Sequence, residues 1–241
     1  MLLNCDMGEA FGAWKMGQDD LIMPFVDQAN IACGFHASDP LIMSKTVALA
    51  KQHGVSVGAH PGFPDLVGFG RRRMDVAADE LKALVQYQVG ALQGICQAQG
   101  VTLDYVKPHG ALYNQMASDN KTLAVVMQAV AEISPDLPLM VMAVPEREEI
   151  EALAKKHNVK VLFEAFADRL YTAEGRLTPR AQGNAVHRSV ELIEEQVLAL
   201  LKRGEVTTET GSVLAVKADS ICVHGDNPHA LDAVTRVRAM M

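Results

Sequence analysis

Three histidines stand at the ends of short apolar runs, each next to glycine or proline. They occur in the segments Gly58-Ala-His60-Pro-Gly62, Val106-Lys-Pro-His109-Gly110 and Cys222-Val-His224-Gly-Asp226. An imidazole can act as a general acid or base near neutral pH, and it is the commonest metal ligand in proteins. A strand that ends in such a side chain and then turns places it at the rim of a sheet, where α/β barrels build their active sites. The repetition predicts that these side chains converge from parallel neighbouring strands.

Polar clusters follow nearly every predicted strand end, whereas the segments that enter the strands resemble ordinary solvated turns. The clusters supply the candidate site residues Asp6, Glu9, His36, Asp39, His60, Asp65, Arg71, Lys107, His109, Tyr113, Glu164, Asp168, Arg169, His224 and Asp226. A single histidine more often caps a helix or packs in a core, and we interpret His53 and His157 in this way. Burying several carboxylates and imidazoles together requires compensation, so the set as a whole favours an enzyme.

The elements that position these residues alternate between strand and helix, which is the pattern of a parallel sheet. Strands are predicted at Leu2–Cys5, Gln28–Cys33, Val55–Ala59, Leu103–Lys107, Leu137–Ala143, Val159–Ala165 and Ser220–Val223. Helices are predicted at Pro40–His53, Ala77–Gly100, Asn120–Ser134, Glu146–His157, Arg188–Arg203 and Asn227–Met241. We expect an α/β fold, a (β/α) barrel that is seven-stranded or irregular, with an open doubly wound sheet as the alternative.

Two further expectations concern the organisation of the chain. The segment Val213–Lys217 is either an eighth strand or half of a hairpin with Ser220–Val223. No linker, low-complexity tract or internal repeat interrupts the sequence, so residues 1–241 are predicted to form a single domain.

Composition excludes several classes of function. The 241 residues are 49% hydrophobic with a formal net charge of −7, which argues against nucleic acid or an anionic membrane as the main partner. The cysteines lack metal-finger spacing and are predicted to be buried free thiols of a reducing compartment. The sequence shows neither a signal peptide nor an apolar run of membrane-spanning length. We therefore expect a cytoplasmic protein, and the sequence leaves its self-association open.

The strand-end motifs closely resemble those of the LamB/YcsF family, in order and over essentially the whole chain. The matching segments are Asn4-Cys-Asp-Met-Gly-Glu9, Asn30-Ile-Ala-Cys-Gly-Phe-His36, Gly58-Ala-His-Pro-Gly62, Lys107-Pro-His-Gly-Ala-Leu-Tyr-Asn114, Glu164-Ala-Phe-Ala-Asp-Arg169 and Cys222-Val-His-Gly-Asp226. One departure is Ser38, which stands where the family's His-Ala-Gly-Asp string has glycine. The resemblance implies a barrel related to glycoside hydrolase and deacetylase barrels.

The resemblance also implies an activity. Members open the lactam of 5-oxoproline to give glutamate, coupled to ATP hydrolysis, in a complex with subunits B and C. No Gly-x-x-x-x-Gly-Lys-Ser/Thr segment occurs in the sequence, so a P-loop is absent. Either another arrangement holds ATP, the co-substrate, or phosphorylation occurs on the partner subunits.

For that reaction we expect Asp6, His36 and His60 at the reaction centre, because they follow the first three strands. Asp6 is the preferred general base and a histidine the acid for the leaving nitrogen. Lys107 and His109 are expected to stabilise the oxyanion or hold phosphate.

The remaining candidates are assigned to substrate binding. Arg71 or Arg169 is expected to grip the substrate carboxylate. Glu164 and Asp168 belong either to the site or to an ion-pair network with nearby arginines. Tyr113 and Asn114 begin the loop after the fourth strand, and we expect either substrate hydrogen bonding or helix capping from them.

Several alternatives stay open from the sequence. The set Asp6, His36 and His60 is also a candidate site for a divalent metal. A stand-alone metal-dependent deacetylase or amidohydrolase on a related barrel would work without ATP. A non-catalytic regulatory subunit would tolerate substitutions at the rim.

Overall fold

Seven parallel strands close into a barrel in a computed structural model that describes residues 1–187, 189–224 and 230–241. The barrel strands are β1 (Leu2–Met7), β2 (Gln28–Ala32), β3 (Ser56–His60), β4 (Leu103–Val106), β5 (Leu139–Met142), β6 (Val161–Phe166) and β9 (Ser220–Cys222). The last strand closes the barrel, because Ser220 pairs with both Leu2 of β1 and Glu164 of β6. The prediction of a seven-stranded barrel is confirmed, and the open sheet is wrong.

Helices link the strands and cover the barrel. They are α1 (Asp19–Ile22), α2 (Pro40–His53), α3 (Ala78–Ala98), α4 (Gly110–Ser118), α5 (Asn120–Ile133), α6 (Arg147–His157), α7 (Val190–Arg203) and α8 (Ala230–Met240). Asp39 caps α2 by accepting hydrogen bonds from the amides of Leu41 and Ile42, and Pro40 provides a first helical residue with no amide to satisfy. No helix among these is both long and apolar enough to cross a membrane.

Alternation along the strands separates an apolar outer shell from a polar barrel interior. Leu3, Cys5 and Met7 of β1 belong to the core between strands and helices, whereas Asn4 and Asp6 join polar networks inside the barrel. The inner side chains therefore lie in layers along the barrel. The layer farthest from the C-terminal rim, which we call the structural floor, consists of Asn4, Gln28, Asn30, Tyr105 and Ser220.

The structural floor is a closed hydrogen-bond network. The Ser220 hydroxyl donates to Gln28 and accepts from the Asn4 amide, each at 2.8 Å. The Asn30 amide donates to Asn4, and the Tyr105 hydroxyl donates to Asn30 at 2.6 Å. Buried polar groups that are satisfied in this way rigidify the interior, so this floor fixes the layer above it.

Local departures from the expected elements have physical causes. Val213–Ala215 (β8) forms a hairpin, but its antiparallel partner is Glu205–Thr207 (β7) rather than Ser220–Val223. The expectation of an eighth barrel strand or a hairpin with Ser220 is therefore wrong. Residues 110–118, where the sequence predicts the loop after the fourth strand, form α4. Ser38, at the departure from the family motif, has a φ of 74°, in the left-handed region that favours glycine.

The four cysteines are buried and form no disulfide, as expected. Cys5 and Cys222 lie in β1 and β9, and burial raises the pKa of both thiols well above the usual range. These thiols remain protonated at neutral pH and serve as small apolar packing groups.

Candidate active site

A buried lysine joins two carboxylates at the C-terminal end of the barrel interior. Lys107, which directly follows β4, places its Nζ 2.9 Å from Asp6 Oδ1 and 2.7 Å from Glu164 Oε1. The Tyr113 hydroxyl, one turn into α4, donates to Glu164 Oε2 at 2.7 Å. Asn30 Nδ2 donates to Asp6 Oδ1, so the floor network sets the position of this carboxylate.

Asp6 and Lys107 both remain charged in spite of burial, because each stabilises the charge of the other. Burial alone would raise the pKa of Asp6, but the charges of His60 and Lys107 outweigh it and leave the pKa well below its usual range. Burial alone would lower the pKa of Lys107, but the charges of Asp6 and Glu164 raise it well above normal. Lys107 is thus a fixed cation, and Asp6 is a fixed anion with little tendency to accept a proton.

Three imidazoles pack together beside this lysine. His60 is the last residue of β3, His109 immediately precedes α4, and His36 lies in the turn after β2. The His36 and His109 rings are parallel with centroids 3.8 Å apart, and the His60 ring is nearly perpendicular to both. His60 Nε2 lies 3.0 Å from His109 Nδ1 and 3.3 Å from Asp6 Oδ2.

Two glycines permit this close packing. A Cβ on Gly62 would lie 2.7 Å from His36 Nδ1, and one on Gly70 would lie 2.7 Å from the His36 Cβ. Gly70 also has a φ of 62°. Any other residue at either position would push His36 out of the stack, so these glycines are required by the site.

A histidine–aspartate pair also lies at this end of the barrel. His224, two residues after β9, places Nδ1 2.9 Å from Asp168 Oδ1. Burial would raise the pKa of Asp168, but the charge and hydrogen bond of His224, with Arg169 and Arg180, lower it. Asp168 therefore remains a carboxylate that orients the imidazole and leaves Nε2 as the nitrogen for proton transfer.

The segment after β6 forms one wall of the opening. Arg169 donates to the carbonyl oxygens of Thr178 at 2.7 Å and Ala185 at 3.2 Å, which ties this segment into a compact fold. Burial, with the neighbouring charge of Arg180, lowers the pKa of Arg169 to about 10, so the guanidinium is still charged at neutral pH.

These groups surround a cavity of about 320 Å³ at the C-terminal end of the barrel. Its polar lining consists of Asp6, His60, Arg71, Lys107, His109, Tyr113, Asn114, Arg169, Thr178, Arg180 and His224. The cluster of cations within this lining suits an anionic small molecule, although the whole chain is acidic.

Most of the predicted site residues are brought together in or just behind this cavity. Glu9, His36, Glu164 and Asp168 lie behind the lining and contact it through the pairs described above. Arg180 and Thr178 line the cavity but were not predicted as site residues, because their segment carries no strand-end signal. The predicted Asp226 lies outside the described residues.

Two predicted substrate-binding residues are elsewhere. Asp39 uses Oδ1 to cap α2 and Oδ2 to accept from the Gly12 amide at 2.9 Å. Asp65 pairs with Arg72 and accepts from the Gly68 amide at 2.9 Å, and the Arg72 hydrogen bond lowers its pKa to about 2. Neither lines the cavity. The role of both carboxylates is to hold loops in place through these hydrogen bonds.

Two groups of side chains have donor atoms close enough to hold a metal ion. One comprises Glu9, His36, His60 and His109, and the other comprises Asp6, Cys222 and His224. The predicted set of Asp6, His36 and His60 is thus divided between them. Lys107 Nζ already lies 2.9 Å from Asp6 and 3.3 Å from Cys222 Sγ, so the second group fits a cation poorly. The first group has the nitrogen and oxygen donors of a transition-metal site.

The fold and the cavity define a (β/α)-barrel enzyme with paired carboxylates, imidazoles and a buried lysine at the C-terminal ends of its strands. The chain belongs to the LamB/YcsF family, whose model matches residues 1–241. The resemblance carried by the strand-end motifs is thereby confirmed.

Relatives of known name agree along the whole length. The 5-oxoprolinase A subunit of Vibrio campbellii is 53% identical over 238 residues, which cover 99% of this chain and 94% of the relative. The protein of the same name from Chromohalobacter salexigens is 53% identical over 237 residues, covering 98% and 95%. The crystal structure of a lactam utilization protein from Thermus thermophilus superposes with a TM-score of 0.90 at 42% identity, covering 99% of this chain and 94% of that one.

Proposed function

We propose that this chain is the A subunit of an ATP-dependent 5-oxoprolinase, which opens the lactam of 5-oxo-L-proline to L-glutamate together with subunits B and C. The observation that carries the proposal is Lys107, held between Asp6 and Glu164 at the base of an arginine-lined cavity. A fixed cation beside a small-molecule cavity is the group that an amide carbonyl needs when it acquires negative charge. The full-length identity to proteins of that name supports the same conclusion.

The substrate carboxylate is assigned to the arginines at the mouth of the cavity. Arg71, Arg169 and Arg180 all line it, and two donor groups of Arg169 bind backbone carbonyls. A guanidinium binds a carboxylate through two parallel hydrogen bonds, which would orient the lactam ring toward Lys107.

Proton transfer is assigned to His224 rather than to Asp6. Because Lys107 and His60 hold the pKa of Asp6 well below its usual range, this carboxylate stabilises positive charge instead of acting as a base. His224 lines the cavity, and Asp168 fixes its orientation through Nδ1. Its Nε2 can take a proton from the attacking water and return it to the leaving nitrogen.

The energy of ATP enters before the ring opens. Transfer of the terminal phosphoryl group to the lactam oxygen gives an imidate-like phosphate, with ADP as the other product. Addition of water to that carbon and cleavage of the C–N bond give an amine and an acyl phosphate, and a second water releases inorganic phosphate and glutamate. Because this chain has no P-loop, we assign the phosphoryl transfer to the B and C subunits in the cytoplasm.

The decisive experiment measures glutamate released from 5-oxoproline by this chain alone and by its mixture with subunits B and C. We expect no turnover from the chain alone and ATP-dependent turnover, with matching ADP, from the mixture. The His224→Gln variant in the same mixture should reduce kcat by on the order of 100-fold, the usual size of a lost acid–base group.

The deacetylase alternative predicts different results. In that alternative a metal held by Glu9 and the three histidines would activate water for hydrolysis without ATP. Hydrolysis of an acetylated amide by the chain alone, without ATP, would replace the 5-oxoprolinase proposal. Unchanged turnover of the mixture after substitution of His224 would instead indicate a different proton carrier.

A further inference from the structure

Two buried imidazoles face one another in this site through ring nitrogens that accept no hydrogen from the backbone. His60 Nδ1 lies 2.6 Å from the carbonyl oxygen of Lys107, and His109 Nε2 lies 2.9 Å from that of Phe69. A carbonyl oxygen only accepts hydrogen bonds, so each of these nitrogens carries the hydrogen. In the neutral rings the other nitrogens, His60 Nε2 and His109 Nδ1, then carry lone pairs, and these atoms are 3.0 Å apart. Such a contact needs a cation between or beside these two atoms, which is either a proton on His60 Nε2, the atom 3.3 Å from Asp6 Oδ2, or a metal ion in its place.

A third imidazole supplies an independent observation. His36 is completely buried, at 0% exposure, and neither of its ring nitrogens has a hydrogen-bond partner among the described residues. Its Nδ1 edge packs on Gly62, and its Nε2 lies 3.9 Å from Glu9 Oε1. A buried polar group without a partner costs about 1–3 kcal/mol, so its retention points to a ligand for that nitrogen.

We propose that Glu9, His36, His60 and His109 bind a divalent first-row transition-metal ion of the zinc type. Their donor atoms all lie within 4.8 Å of one another. Bonds of about 2.1 Å to a tetrahedral zinc separate its ligand atoms by about 3.4 Å. The distances of 3.0 Å between His60 and His109 and 3.7 Å between His109 and Glu9 bracket that value.

The ring orientations define how the ion is held. The His60 ring is nearly perpendicular to the other two, so one ion can lie in its plane and in the plane of either neighbour. His36 and His109 are parallel, and one of them must turn out of the stack for both to bind the same ion. His60 and His109 line the cavity, so the ion lies at its wall, within reach of a bound molecule.

The donor chemistry agrees with this geometry. Neutral imidazole is the form that binds metals. The negative charge of Glu9 would balance part of the charge of the ion.

The test is metal binding by the purified full-length chain, which is independent of the proposed reaction. After treatment with a chelator, the protein is titrated with Co²⁺ and, in competition, with Zn²⁺, and the visible absorption of Co²⁺ is followed. We expect one tightly bound ion per chain and a spectrum typical of four-coordinate nitrogen and oxygen ligation. Because altered outer partners alone weaken metal sites 10–100-fold, Glu9→Gln, His60→Gln and His109→Gln should each reduce affinity by at least about 100-fold.

Controls separate this site from its alternatives. His53→Gln, at the exposed end of α2, should bind Co²⁺ like the unmodified chain. Each variant is checked for a cooperative thermal transition before titration, and His36→Gln provides a second, smaller change within the same cluster. Absence of stoichiometric binding, or affinity unchanged in all of the cluster variants, would overturn the proposal. So would a sulfur-to-cobalt charge-transfer band that Cys222→Ser abolishes, because it would place the ion at the other group.

Discussion

Lys107 retains its charge inside the barrel because two carboxylates compensate for the loss of water. Its side chain is 3% exposed and lies within 3 Å of both Asp6 and Glu164. Such an arrangement contributes less to stability than the short distances suggest, because all three groups are desolvated. Removing one partner, in contrast, leaves uncompensated charge in a medium of low polarity.

We therefore expect Lys107→Met to abolish measurable turnover of the complex and to lower the free energy of unfolding by about 3–5 kcal/mol. Urea unfolding and the glutamate assay measure the two effects. Lys160→Met is the matched control, because Lys160 forms an ion pair with Asp136 at 3.0 Å but is 66% exposed. It should change stability by no more than about 0.5 kcal/mol and leave kcat unaltered.

A double variant distinguishes catalysis from folding. Lys107→Met combined with Glu164→Gln removes one charge of each sign, so part of the lost stability should return. If Lys107 acts on the substrate, kcat should remain undetectable in this folded protein. Recovery of turnover together with stability would show that the lysine is only a structural counterion.

The sequence predicted best those cavity residues that stand at a strand end. His60 and Lys107 follow directly from the alternation of apolar strands and polar turns, and parallel strands bring their ends to one rim. Asp39 and Asp65 follow the same pattern, yet each satisfies backbone amides of its own loop. Turn-forming and substrate-binding carboxylates have the same local sequence, so only the three-dimensional contacts separate them. Arg180 also could not be predicted from local sequence. Its segment carries no strand-end pattern, and only the fold brings it to the cavity.

The elements between the strands carry constraints of their own. Helix α1 begins at Asp19, whose Oδ2 accepts a hydrogen bond from the Gly8 amide at 2.7 Å and so anchors the turn that follows β1. Gly8 has a φ of 68°, which allows this turn immediately before Glu9. Burial raises the pKa of Asp19 to about 6. The charge of this carboxylate is therefore unfavourable in the folded state at neutral pH.

We expect Asp19→Asn to stabilise the protein at pH 7 and not at pH 4. Because the folded protein binds this proton more tightly than the unfolded chain, the contribution of Asp19 is greatest below its unfolded pKa of about 3.9. It decreases as the pH rises to about 6. The asparagine oxygen can still accept from Gly8, so the gain at pH 7 should be ~1–2 kcal/mol, reduced from the full linkage value by partial exposure. Urea unfolding at both values of pH measures it, and an equal gain at both would contradict the pKa shift.

The short elements were the hardest to predict. The sequence predicts a loop after the fourth strand, where the structure has α4, and packing of Leu112 and Met116 into the core stabilises this helix. The hairpin of β7 and β8 pairs residues that are near one another in the chain, whereas β9 is drawn into the barrel by its long-range neighbours. The pairing of β8 and β9 is therefore determined by tertiary contacts, which the hydrophobic periodicity of the sequence does not show.

At the scale of the whole molecule, hydrogen bonds of the structural floor connect the barrel strands to Asp6 in the active site. Tyr105 crosses the interior to donate to Asn30, and Asn30 in turn donates to Asp6. Gly58 of β3 makes room for the aromatic ring, because a Cβ at this position would overlap it. The glycine is thus part of the geometry of the site, although it touches no group that reacts.

We expect Gly58→Ala to lower the free energy of unfolding by about 1–3 kcal/mol through overpacking and to reduce kcat more than it raises KM. Thermal unfolding and steady-state kinetics of the complex measure these effects. Gly90→Ala on α3 is the control, because nothing lies within 4 Å of the added Cβ. That change should preserve turnover and stabilise the helix by about 0.5–1 kcal/mol. Equal kinetics for the two alanine variants would show that the floor does not position the site.

The closure of the barrel by β9 has a consequence for biosynthesis. Leu2 pairs with Ser220, so the ribosome must deliver the chain through residue 220 before the seam can form. Until then β1 and β6 are unprotected sheet edges, which readily recruit strands from other molecules. A nascent chain halted before residue 220 should therefore depend on chaperones and aggregate when released, whereas the finished chain no longer presents these edges.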